Sequence, residues 1–243
     1  MLDRQVTANA RSMVGVGRWW FVAGWLSPGN VTEVTRALDL SGVFANGTLG
    51  GVLARAHRLD LFGFLVIGIV SGLGGGIVRD TLLQHGTPVA LTDYTYLAVA
   101  TAGTMLAFVA DVSRQISHRA FNLLDALALS VWAVAGAQKT LAVGLGWLPA
   151  VLLGTITAVG GGAVRDLFLA RTPAIFGGTP LYATVAVLVS GVMVVCSWLG
   201  APTVGILAGI VVGVLLRLAA LTWGWRLPGS RDWRPGALRG RGS

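Results

Sequence analysis

Followed for its hydrophobic and polar positions, the chain is a series of long apolar stretches, roughly 33–54, 61–84, 92–112, 121–143, 147–170, 181–199 and 202–221, set apart by short connections. Each stretch is close to the about 20 residues a helix needs to cross the hydrocarbon core of a membrane. Charge is rare inside them, and Leu181–Leu216 contains no Asp, Glu, Lys or Arg. The pattern predicts an all-α membrane protein with seven transmembrane helices. Another apolar stretch, 13–26, is too short to span and is broken by Arg18.

The connections fall into two classes. Arg55, His57 and Arg58 follow the first stretch, Arg114 and Arg119 the third, Arg171 the fifth, and Arg226, Arg231, Arg234, Arg239 and Arg241 the seventh. The intervening connections, 85–91, 144–146 and 200–201, have neither Lys nor Arg. Basic residues collect on the cytoplasmic side, so the expected arrangement in the cell's inner membrane has the N-terminus outside and the C-terminus in the cytoplasm. Residues 1–32 are then an extracytoplasmic tail, and 222–243 a basic cytoplasmic one whose Arg, Gly and Pro content points to disorder.

A shift of 86 residues (165 − 79) superposes Asp39 on Asp125, Gly50 on Gly136, Gly68 on Gly154, Gly74–Gly76 on Gly160–Gly162, and Arg79-Asp80 on Arg165-Asp166, with no gap. Each unit holds three spans, 33–112 in the first and 121–199 in the second. An odd number of crossings inserts the second copy in the opposite sense, giving an inverted 3+3 repeat of a kind recurrent in membrane transport proteins. The last helix, within 200–221, lies outside the repeat.

Three consecutive glycines, in "GLGGGIVRD" (72–80) and "AVGGGAVRD" (158–166), strip every side chain from almost a full helical turn near mid-bilayer. Each costs about 1 kcal/mol in helix propensity relative to alanine. A bend or opening at Gly74, Gly75 and Gly76, and again at Gly160, Gly161 and Gly162, is expected. Irregular backbone at that depth survives only where protein covers it or water reaches it, so a hydrated centre is implied. The alternative is close packing of helices through small residues, the expectation for Gly68 and Gly72 and for Gly205, Gly209 and Gly213.

Charges within the spans need partners, because even the lenient insertion scale sets about 2.5–3.5 kcal/mol against each one. Asp39 shares the depth of Arg79, and Asp125 that of Arg165, so two symmetry-related ion pairs are expected, with snorkelling of the arginines as the alternative. Asp80 and Asp166 are then candidates to face an aqueous path, or else to cap nearby backbone. Lys139, where every other basic residue is arginine, either reaches the interface or sits in the path and responds to voltage. Ser71 and Thr157 are among the polar groups expected to line the same cavity. Trp132, Trp147, Trp198 and Trp223 fit interfacial belts.

Composition agrees with a membrane protein: 54% of the residues are hydrophobic and 12% charged, with a mean hydropathy of +0.74. The net charge of +8 resides largely in connections and tail, which argues for topology rather than a nucleic-acid partner. Cys196 stands alone and within a span, which excludes a disulfide framework and a cysteine metal cluster. His57, His85 and His118 fall in connections, and no nucleophile-base set or metal cluster appears in the spans. Neither an enzyme nor a cofactor is implied.

The paired "GGGIVRD" and "GGGAVRD", in a 3+3+1 order over about residues 33–221, resemble the prokaryotic branch of the trimeric intracellular cation (TRIC) channel family. The resemblance implies a homotrimer in membrane lipid, each subunit with its own pore for potassium and other monovalent cations, kinked at the glycine triplets. It also matches Lys139 to the fourth-helix lysine linked to voltage dependence in animal members. Those members have lysine-containing motifs at Arg79-Asp80 and Arg165-Asp166, so their inositol-lipid site is not carried over. Related bacterial sequences have also been labelled glycine transporters. A passive cation channel, an alternating-access carrier of a small solute such as glycine, and a membrane scaffold all remain open from the residues alone.

Overall fold

The computed structural model of the protein describes residues 28–110, 118–176 and 180–227, with side chains from residue 33 onward. Most of the two expected tails, and the end of the third expected span at 111–112, lie outside the described residues; of the tail residues that are described, 28–32 and 222–223 are helical and extend the first and last spans. Every regular element among them is helical: α1 (Pro28–Ala56), α2 (Leu61–Leu83), a short α3 (Val89–Thr92), α4 (Tyr94–Val109), α5 (His118–Ala142), α6 (Trp147–Phe168), α7 (Tyr182–Trp198) and α8 (Pro202–Trp223). The chain divides into two compact units, Met1–Ala37 and Leu38–Ser243. The described part of the first is the opening of α1; the contacts and charge clusters described below belong to the second.

Local chemistry sets the helix ends. Asp60 caps α2 by accepting from the Gly63 amide at 2.8 Å, and Asp93 caps α4 by accepting from Thr95 at 3.0 Å, each satisfying a donor the first turn leaves open. Pro202 occupies the first turn of α8, where a missing N–H costs nothing, and Gly224 closes that helix at φ 65°. Five segments are long and apolar enough to cross a membrane: Glu33–Ala56, α2, α5, α6 and α8. Two more, α4 and α7, are apolar but shorter. This is a multi-pass helical membrane protein.

Contacts recur at the offset of 86 residues. Thr104 packs across Gly68 while its hydroxyl donates to Ala100 at 2.7 Å and reaches Gly47 O at 3.4 Å; Ser190 packs across Gly154 and reaches Ala133 O at 3.4 Å. Gly50 abuts Ser71 and Gly68, and Gly136 abuts Thr157 and Gly154. Small residues thus let α1, α2 and α4 meet, and likewise α5, α6 and α7. Gly205, Gly209 and Gly213 seat α8 on Met193, Val134, Val189 and Ser130 of α7 and α5.

The expected interruption at the glycine triplets is absent. Both α2 and α6 run as unbroken α-helix through 74–76 and 160–162. They pack on each other, and the triplets are where they touch. A β-carbon on Gly75 would collide with the Thr157 carbonyl, and one on Gly161 with the Ser71 carbonyl. The glycines bring two backbones into contact, a gain that offsets their poor helix propensity without any opening of the helix. Trp132 also departs from expectation: it is 1% exposed, wedged against Gly42 and Gly76 rather than set at an interface, because two glycines clear room for its indole.

Candidate functional site: two buried charge clusters

The last turns of α2 carry Arg79 and Asp80. Arg79 is 1% exposed and spends its planar fork on two carboxylates: Nη1 donates to Asp39 Oδ1 at 3.0 Å, Nη2 to Asp39 Oδ2 at 3.2 Å, and Nε to Asp80 Oδ1 at 2.8 Å. Only arginine can serve both acids at once, since lysine lacks the rigid fork. The Tyr96 hydroxyl donates to Asp39 at 3.4 Å. Lys139, reaching from α5, places Nζ 2.8 Å from Asp80 Oδ1. The other Asp80 oxygen accepts from the Val89 amide at 3.0 Å, fixing the start of α3. Two cations and two carboxylates leave this first cluster neutral, which suits ions removed from water.

Beside it lies a cavity of about 10 Å³, bounded by Leu73, Arg79, Asp80, Tyr96 and Trp132, with room for about one water molecule. The Arg79 guanidinium stands 6.0 Å from the Trp132 ring. Lys139 is the loosest member, its side chain 25% exposed where that of Arg79 is 1%.

The second cluster has the same parts in a different pairing. Arg165 donates to Asp166 Oδ1 from Nε and Nη2, both at 3.1 Å, and Asp166 Oδ2 accepts from the Ala174 amide at 3.3 Å. The Tyr182 hydroxyl donates to Asp125 Oδ1 at 3.3 Å. The expected Arg165–Asp125 pair does not form. Asp125 pairs instead with Arg217, whose Nη2 lies 3.4 Å from Oδ2. Arg217 comes from α8, which has no counterpart in the first half, so the second half has a cation available that the first half lacks. Arg165, relieved of Asp125, turns both donors to its own neighbour.

The structure therefore gathers Asp39, Arg79, Asp80 and Lys139 in one cluster, and Asp125, Arg165 and Asp166 in the other. Asp80 and Asp166 also bond backbone amides of the segments that follow their helices. Ser71 and Thr157 do not border the cavity; both are buried against facing glycines, and the Thr157 hydroxyl donates to Leu153 O at 2.5 Å. Sequence reasoning missed Arg217, Tyr96 and Tyr182. A lone arginine in the apolar stretch 202–221 was a usable signal, since such a charge demands a partner; so were two tyrosines 86 residues apart (182 − 96). Among the described residues, no group of three or more His, Cys, Asp or Glu side chains is placed to hold a metal ion.

Comparison with known proteins fits this duplicated geometry. A family model described as "Glycine transporter" matches residues 36–111 and again 122–198. A UPF0126 membrane protein of Deinococcus radiodurans is 39% identical over 166 residues, covering 68% of this chain and 75% of that protein. The UPF0126 inner membrane protein YadS of Escherichia coli K12 is 36% identical over 195 residues, covering 79% and 93%. The crystal structure of the TRIC trimeric intracellular cation channel orthologue from Rhodobacter sphaeroides superposes with a TM-score of 0.73 at 31% identity, over 79% of this chain and 98% of that one. With its two copies of the family's unit and a fold shared with a TRIC orthologue, the chain belongs to the family of bacterial membrane proteins that includes the prokaryotic TRIC channels.

Proposed function

We propose that the protein is a passive channel for potassium and other monovalent cations in the inner membrane, with one path in each subunit of a homotrimer, between two inverted three-helix repeats. The observation that carries this reading is the contact of Lys139 with Asp80 beside the small cavity, at 2.8 Å, in a fold shared with a TRIC cation channel orthologue. The recurrence of contacts 86 residues apart supports the repeat, and the distribution of arginine supports seven spans with a cytoplasmic C-terminus.

The geometry supports a mechanism of the following kind. A cavity with room for about one water does not admit a hydrated ion, so on this reading the conformation is a closed one at the first cluster. Opening requires Lys139 to leave Asp80. The cluster, then left with two carboxylates and one cation, attracts cations, while Arg79 keeps Asp39 and Asp80 in place. Moving a charge through the full field gains about 2.3 kcal/mol per 100 mV, so Lys139 is a suitable voltage-responsive element. The crossing of α2 and α6 at Gly74–Gly76 and Gly160–Gly162 serves as the pivot on which the two halves move.

Purified protein reconstituted in planar bilayers under a KCl gradient tests the reading: unitary steps with a cation-selective reversal potential support it. A second reading, an alternating-access carrier, has the description of the matched family model in its favour. Silent bilayers together with saturable glycine uptake into vesicles would support the carrier instead.

A further inference from the structure

The two clusters share an Arg-Asp pair, a tyrosine and an aspartate from the first helix of each half, and they differ in the fourth member. In the first cluster that member is Lys139, a flexible ammonium held by one contact to one carboxylate and a quarter exposed. In the second it is Arg217, with a side chain 6% exposed and restraints from three directions. Its Nη1 donates to the Pro180 carbonyl, its Nη2 faces Asp125 Oδ2 at 3.4 Å, and its guanidinium lies over the Tyr182 ring, 4.7 Å from the centroid. The glycines of α8 at 205, 209 and 213 hold its helix hard against α5 and α7, so the arginine is presented by a seated element.

The backbone at this point is strained. Leu181, the residue that opens α7, has φ 25°, in the left-handed region that a leucine rarely adopts. Its helix has no side-chain cap, unlike α4, which Asp93 caps. Arg217 binds the carbonyl of the residue just before this strained position and stacks on the tyrosine just after it. Removing Arg217 frees the α7 entry and leaves Asp125 open to Arg165, the pairing that its counterparts Asp39 and Arg79 make in the first half.

We propose that Arg217 is a positioning residue that locks the second cluster and the entry of α7, so that charge rearrangement during gating is confined to the first cluster at Lys139 and Asp80. The gating part rests on the channel reading; the locking part does not. The test therefore pairs two readouts on Arg217→Gln and Arg217→Lys, the second keeping the charge but losing the fork. Hydrogen exchange of purified protein reads the lock without any activity: amides in the first turn of α7 should exchange about tenfold faster or more in both variants, with the first turn of α4 unchanged. In planar bilayers both variants should add a second voltage-dependent component to open probability, while further substitution of Asp125→Asn, which removes the stranded carboxylate, should abolish it.

Exchange at α7 equal to that of the unaltered protein, or raised equally at α4, overturns the lock. Faster exchange at α7 with unchanged voltage dependence overturns the gating part and leaves a purely structural arginine. If Arg217→Gln does not fold, Arg217→Lys decides by the same readouts. Silence of the unaltered protein in bilayers counts against the channel reading and the gating part, and leaves the exchange result to judge the lock.

Discussion

Lys139 on α5 and Asp80 on α2 meet at 2.8 Å, although 59 residues separate them, and the oxygen that Lys139 uses also accepts from Arg79 at 2.8 Å. Asp80 is thus held by one buried cation and one partly exposed one. Because Arg79 and the Val89 amide remain when Lys139 is gone, the acid is not stranded by its loss. Lys139→Gln should fold normally, costing no more than about 1 kcal/mol as expected for a partly exposed pair. It should also flatten the voltage dependence of opening. Thermal unfolding and single-channel recording check the two halves of that expectation.

Arg79 serves two acids and Asp39 only one, and this ranks their variants. Arg79→Gln leaves Asp39 and Asp80 both short of their main partner, and breaking a buried pair from one side costs about 3–5 kcal/mol. Asp39→Asn leaves Arg79 with Asp80 and should be distinctly milder. Arg79→Lys should rescue poorly, since an ammonium cannot replace the three-pronged contact. Exchanging the charges of Asp39 and Arg79 should fail too, as it sets a carboxylate beside Asp80. Yields of folded protein on size exclusion, followed by melting curves, would reveal the order; equal damage from Arg79→Gln and Asp39→Asn would count against it.

Within each triplet the three glycines differ in what surrounds them, which separates packing from simple flexibility. Gly75→Ala and Gly161→Ala each drive a methyl into the facing backbone and should lower stability by about 1–3 kcal/mol. A β-carbon on Gly162 meets nothing nearer than 3.6 Å, and one on Gly74 nothing nearer than 3.5 Å. Gly162→Ala and Gly74→Ala should be tolerated, with a gain of up to about 1 kcal/mol from helix propensity. If all four variants unfold alike, close contact between α2 and α6 is not what these glycines provide.

Much of this arrangement was legible before any coordinates. Apolar length located the long helices, though not the short α3, and the offset of 86 residues anticipated that Gly50 and Gly68 would have counterparts at 136 and 154, though not which side chains would pack on them. Asp39 and Arg79 could be paired from depth because both sit near matching ends of neighbouring helices. The same reasoning misplaced Arg165, since depth says nothing of competition, and Arg217 arrives from a helix outside the repeat. The triplets misled for a related reason: intrinsic propensity marks them as weak points, whereas the facing backbone that makes them strong contacts, at Thr157 for Gly75 and at Ser71 for Gly161, is remote in sequence. Trp132 likewise reads as an interfacial ring until the room cleared by Gly42 and Gly76 is known.

The most direct measurement is the reversal potential and size of unitary currents across a KCl gradient, for the unaltered protein and for Asp80→Asn. Cation-selective steps in the first and a reduced or abolished current in the second are predicted, because the path runs past the Asp80 carboxylate. Absence of unitary current in the unaltered protein, or cation currents that Asp80→Asn leaves unchanged, would contradict the account.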